Sequence, residues 1–143
     1  MHITREKTDE LNEVIALKVN KEDYQEQVDK NLRDLRKRAN INGFRPGKVP
    51  LGMIKKMYGT AVKADEINKL AGQELMKFIN DEEIKILGEP IPSQQQQEKV
   101  DFATQEEFTF YFDIGIAGDI DLDKVSEIEV HYYKIKATEK EID

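Results

Sequence analysis

The sequence predicts an α+β fold, and three observations carry that reading. Strand-like alternation opens the chain and returns near its end, helix-period stripes fill the middle, and the two kinds of element are segregated rather than interleaved. The 143 residues suit one ordinary domain. With 38% hydrophobic and 36% charged residues, the chain is polar but has enough Leu, Ile, Val, Phe and Tyr for one core.

Residues 2–7 read as a short polar edge strand and Thr8-Asp9-Glu10 as a turn. Residues 12–19 alternate, with Ile15, Leu17 and Val19 on one side, so the two segments make a hairpin. Asn20 suits the N-cap of a helix over 21–39, with Glu22 and Asp23 where the helix dipole favours acid. Its core stripe is Tyr24, Val28, Leu32, Leu35 and Ala39, and Arg33, Arg36 and Lys37 lie off it. Asn42-Gly43 ends that helix. Pro50 suits the first turn of a short helix over 50–57, ended by Gly59. Thr60 then caps a helix over 60–82, with Ala64, Ile67, Leu70, Ala71, Leu75, Phe78 and Ile79 facing the core.

Gly88, Pro90 and Pro92 break the chain, and Gln94 to Gln97 form a low-complexity loop. Residues 106–114 alternate most cleanly of all, with Phe108, Phe110, Phe112 and Ile114 on one face. Gly115 to Lys124 is acidic and Gly-containing, which suits a boundary. Residues 127–136 read as a further strand, and Thr138 to Glu141 form a capping box that opens a helix.

Composition excludes several functions. The absence of cysteine rules out disulfides, thiolate metal sites and a Cys nucleophile. No stretch resembles a signal peptide or a membrane span, so a cytoplasmic protein without a membrane role is expected. His2 and His131 have no paired ligand spacing, and acid pairs such as Glu82-Glu83 have no convergent apolar pocket. No metal, cofactor or catalytic residue is expected.

Charge is unevenly placed. The net charge is −7, yet residues 28–63 hold ten basic side chains against Asp29 and Asp34, a local +8. The other 107 residues carry −15. This dipolar arrangement suits one face that meets a polyanion; the plainer alternative is a solvated helix face. Lys55, Lys56 and Lys63 read as solvated.

The segment 42–50 lies between two helices inside this block, so a helical hairpin should present it at its tip. Gly43 and Gly47 let the backbone turn where a Cβ would clash. Pro46 limits flexibility and lowers the entropy lost on binding. Arg45 offers a planar, always-charged fork for carboxylate or phosphate, and Lys48 a second cation. Phe44 looks exposed and suited to a partner's pocket, or else tucks into its own domain and holds the loop closed.

The run Gly43-Phe44-Arg45-Pro46-Gly47-Lys48-Val49-Pro50 resembles the G-F-R-x-G-K-x-P signature of trigger factor, the bacterial ribosome-associated chaperone family. The opening hairpin, the long first helix, Tyr58-Gly59 and the strand Glu107–Ile114 are similar to that family as well. The resemblance covers about residues 1–118, the expected ribosome-binding domain, and weakens over 119–143, where a strand and a linker should lie. It implies a four-stranded antiparallel sheet packed against helices. It also implies docking on the large ribosomal subunit, on the exit-tunnel protein and adjacent rRNA, so that the chaperone meets nascent polypeptides.

The ribosome-binding residues it implies are Gly43, Phe44, Arg45, Pro46, Gly47, Lys48 and Pro50, with Arg36, Lys37 and Arg38 as secondary basic contacts. A homodimer off the ribosome is a further implied partner. The family's prolyl isomerase and helical C-terminal domains are expected beyond this chain, so no enzyme activity is expected of it. Gln94–Gln97 departs from the family pattern. Two rivals are a free-standing RNA-binding module, with the Phe108/Phe110/Phe112 stripe stacking on bases, and a peptide-holding or dimerisation domain that acts off the ribosome.

Overall fold

A computed structural model describes residues 1–45, 47–97, 99–118 and 132–133. The chain runs β1 (His2–Lys7), β2 (Asn12–Val19), α1 (Lys21–Arg38), α2 (Leu51–Asp81), β3 (Ile86–Pro92) and β4 (Phe108–Ile116). The strands form one antiparallel sheet in the order β1-β2-β4-β3. The fold is thus α+β with four antiparallel strands, as expected.

The β1–β2 turn is closed by Asp9, whose carboxylate accepts the N–H groups of Leu11 and Asn12, each at 2.8 Å. In α1 the Asp23 side chain accepts the N–H of Asn20 at 2.8 Å, satisfying a donor that a helix start leaves free. Strand register puts Ile15 opposite Phe112, Leu17 opposite Phe110 and Val19 opposite Phe108, so one pleat face carries all six. The helices cover that face. One core cluster joins Leu17, Val19 and Phe108 to Tyr24, Val28 and Leu32 of α1 and to Ile54, Ile67 and Ala71 of α2. A second joins Ile15 and Ile114 to Leu75 and Ile79. Each large apolar side chain buried there contributes roughly 1.5–3 kcal/mol. Glu13 is buried on the same face and ion-paired to Arg5 on β1.

Two expectations need correction. The separate helices over 50–57 and 60–82 are one 31-residue helix, about 46 Å long at the α-helical rise. Gly59 does not end it. An interior glycine costs only about 1 kcal/mol, and the buried Ile54 and Ile67 on either side hold the helix through it.

The break at Gly88, Pro90 and Pro92 is instead an edge strand. Proline lacks the ladder donor and is tolerated at an edge, and the register shifts between Leu87 and Ile91, with Gly88 at φ +82°. The expected strand over 127–136 lies outside the described residues, apart from the exposed Tyr132 and Tyr133.

The glutamine run has a structural role. Beyond Pro92 the ladder to β3 ends, and the backbone of β4 at Thr109 and Tyr111 needs other partners. The Ser93 N–H donates to the Tyr111 carbonyl at 2.8 Å. The Gln97 side chain accepts the Tyr111 N–H at 3.1 Å and donates to the Thr109 carbonyl at 3.3 Å. One side-chain amide thus stands in for a residue of the missing strand.

Candidate functional site

The α1–α2 connection, residues 39–50, lies at one end of a helical hairpin. Contacts between Arg36 and Val49, Asp29 and Lys55, and Tyr24 and Lys63 show the two helices running back along each other. The Ala39 N–H donates to the Leu35 carbonyl at 2.7 Å and closes α1. Two turns follow. The Phe44 N–H donates to the Ile41 carbonyl at 3.0 Å, and the Lys48 N–H donates to the Arg45 carbonyl at 2.9 Å.

Each turn has a glycine in its third position, Gly43 at φ +89° and Gly47 at φ +78°. The clash they avoid is with the adjacent backbone, which a Cβ at positive φ approaches too closely, rather than with other parts of the chain. A Cβ at Gly43 would meet nothing within 4 Å, and one at Gly47 would sit 3.9 Å from the Lys37 carbonyl oxygen. A side chain at positive φ still costs roughly 1–2 kcal/mol.

The loop is anchored by apolar residues and presents polar ones. Val49 is 0% exposed in the larger core cluster, and Ile41, Phe44 and Leu51 pack against that cluster. Phe44 is therefore half-buried, not the freely exposed aromatic that its setting suggested. Gly43, Arg45, Lys48 and Pro50 are exposed, Gly47 is half-buried, and Pro46 lies outside the described residues. Neither Arg45 nor Lys48 has an ion pair among the described residues.

The rest of the basic block divides into committed and outward groups. Lys37 pairs with Asp34 at 2.7 Å, and its hydrogen bond holds that carboxyl below the usual range. Lys55 pairs with Asp29 at 2.9 Å and, with Gln25, depresses that carboxyl too. Lys63 is only partly solvated. It is half-buried, donates to the Gln105 carbonyl and lies 5.1 Å from the Phe108 ring centroid and 5.6 Å from that of Tyr24, a cation–π arrangement. Arg36 Nε donates to the Val49 carbonyl at 2.8 Å. Arg38 and Lys56 are exposed.

Three features escaped sequence reasoning. Val49, the loop's apolar anchor, was signalled by a β-branched residue in an otherwise polar and small segment. Met53 and Met57, one turn apart on α2, are 38% and 53% exposed beside the loop. Their signal was an i, i+4 apolar pair out of phase with Ile54. The Arg36–Val49 bond joins residues 13 apart and had no sequence signal.

The Phe stripe forms core. Phe108 is 2% exposed, stacks on Phe102 at 5.2 Å and meets Tyr24 edge-on at 6.0 Å, while Phe110 and Phe112 are half-buried against the two clusters. Among the described residues no group of three or more His, Asp or Glu could hold a metal, and no helix is long and apolar enough to cross a membrane.

Fold and loop together define the class: a small α+β module whose helical hairpin carries an exposed cationic turn. The chain belongs to the bacterial trigger factor family of chaperones, as an N-terminal domain. The family model, described as bacterial trigger factor protein, matches residues 1–143. Similar curated relatives, each a trigger factor, come from Alkalilimnicola ehrlichii (28% identical, 100% of this chain, 31% of the relative) and Agrobacterium fabrum (30%, 99% and 30%). A third, from Neisseria meningitidis serogroup B, is 31% identical over 90% of this chain and 30% of the relative.

The chain therefore spans about a third of the length of the relatives it matches. A solved structure, described as "Promiscuous Substrate Recognition in Folding and Assembly Activities of the Trigger Factor Chaperone", aligns with TM-score 0.54. Its identity is 21%, over 94% of this chain and 31% of that one, a likeness of fold.

Proposed function

We propose that this domain docks a trigger-factor-type chaperone on the large ribosomal subunit beside the exit tunnel, so that the chaperone meets nascent chains. The observation that carries the reading is Arg45 and Lys48, exposed and without an ion pair among the described residues, on a loop whose two turns are set by Gly43 and Gly47. A prefixed loop loses little entropy on binding. Arg45 suits a carboxylate on the exit-tunnel protein or a phosphate of adjacent rRNA, and Lys48 adds a point charge. Arg38 extends the cationic surface. Phe44 contributes the edge that its partial burial leaves open.

In this reading residues 1–118 form the docking domain and 119–143 begin the link to further domains. No residue of this chain is assigned a catalytic role, and its place of action is the cytoplasm. The solved trigger factor is described by its recognition of substrates in folding and assembly; the same work is proposed for the chaperone this domain docks. The free-standing RNA-binding reading is disfavoured, because stacking on bases needs exposed rings and Phe108 is buried. The test is co-sedimentation of the domain with large ribosomal subunits and, separately, with protein-free rRNA at physiological salt. Binding to subunits in clear preference supports docking, and equal binding to bare rRNA overturns it.

A further inference from the structure

We infer that Arg36 is the positioning residue of the loop, acting through Val49 rather than by touching the partner; its effect on docking rests on the reading above. Arg36 lies in the last turn of α1, and its Nε donates to the Val49 carbonyl at 2.8 Å. That carbonyl belongs to the bond preceding Pro50, the residue that caps α2. The α2 backbone gives it no partner. The Met53 and Ile54 N–H groups both go to the Pro50 carbonyl, at 3.0 and 3.3 Å.

The Val49 side chain is 0% exposed. Without Arg36 an acceptor beside the core would be left to compete for water, and buried acceptors left unpaired are unfavourable. The bond also closes a ring: α1, the two turns, Val49, and back to α1. Gly47 lies inside the same ring, where an added Cβ would come to 3.9 Å from the Lys37 carbonyl oxygen. The turn that carries Arg45 and Lys48 is therefore held at both ends by α1, through the chain at Ala39 and through the guanidinium at Val49. The cation is well placed for this, since α1 ends there and its dipole favours positive charge.

Side-chain geometry supplies the test. Glutamine carries a neutral N–H donor at the same distance from the backbone as arginine Nε, whereas methionine matches the length and has no donor. The amides of Phe44 and Lys48, each bonded across a turn, report loop order by hydrogen exchange in the free domain. Arg36→Met is expected to speed exchange at these amides at least fivefold, while those of the core strands stay protected. Arg36→Gln is expected to remain within about twofold of the parent.

Ribosome binding should follow: weaker by at least fivefold in Arg36→Met, near parental in Arg36→Gln, with the salt dependence unchanged. A direct phosphate contact gives the opposite pattern. Gln and Met then lose affinity alike, the log–log salt slope falls by roughly 0.7–0.9, and loop exchange does not move. Either that pattern, or unchanged exchange in Arg36→Met, overturns the inference. The exchange readout needs no ribosome, so a parent domain that fails to bind ribosomes would sink the docking reading and leave this one standing or falling by itself.

Discussion

Phe44 should contribute to stability and to docking at once, unlike the two cations beside it. A fully buried Phe→Ala substitution costs about 3–5 kcal/mol. Phe44 is half-buried and packs on the larger core cluster from the loop side, where a truncated side chain leaves an opening to solvent rather than a sealed cavity. Scaling for that exposure gives about 1–2 kcal/mol for Phe44→Ala. For a domain of this size that is a fall in Tm of roughly 3–10 °C. Arg45→Ala and Lys48→Ala remove exposed side chains with no partner among the described residues, so each should cost less than about 0.5 kcal/mol.

The assay is a set of three urea melts followed by pelleting with large subunits. All three variants should bind more weakly, and only Phe44→Ala should also melt early. Its binding loss combines any lost contact with loosening of the loop, so it is expected to be the largest. A Phe44→Ala variant with a parental urea midpoint would refute the packing argument. An early melt in Arg45→Ala would show that this side chain has an intramolecular partner.

Gly47→Ala should lower stability by about 1–2 kcal/mol from the positive φ alone, since a Cβ there makes only an ordinary contact with the rest of the chain; thermal denaturation should show the opposite sign for Gly72→Ala, which at an open helical site should stabilise by up to about 1 kcal/mol. Gln97→Leu keeps the volume but strips two hydrogen bonds from the edge of β4. It should cost about 1–3 kcal/mol and speed exchange of the Tyr111 amide. Acid should destabilise the domain. Asp29, beside Lys55, and Asp34, beside Lys37, are held below the ordinary carboxylate range when folded, as is Glu106 beside Lys21. Their contribution is present above about pH 4 and is lost as pH falls through the folded values. Urea melts at pH 7 and pH 3 should show a smaller acid loss in Lys55→Met than in the parent.

Much of the fold was legible because its signals are local and periodic. The alternation of Ile15, Leu17 and Val19, that of Phe108 to Ile114, and the stripe Tyr24–Val28–Leu32 each report one buried face, and each face is where the period put it. The misreadings came from punctuation residues taken at their usual meaning. Gly59 lies in a helix because Ile54 and Ile67 are buried on both sides of it, and Pro90 and Pro92 lie in a strand because that strand is an edge.

At the candidate site, sequence located the loop, its glycines and its exposed cations. It left open whether Phe44 meets a partner or packs inward, and it did not foresee that Lys63 lies against Phe108 and Tyr24 or that Arg36 reaches the Val49 carbonyl. Those depend on distances between elements, which periodicity does not encode.

The central claim is that Arg45 and Lys48 dock this domain on the ribosome. The direct measurement is the affinity of an Arg45→Ala/Lys48→Ala double variant for large ribosomal subunits, beside the parent, at physiological salt. Interface anchors typically contribute 1–2 kcal/mol or more, so binding should weaken at least tenfold while the melt stays parental. A double variant that melts normally and binds subunits as tightly as the parent would contradict the account.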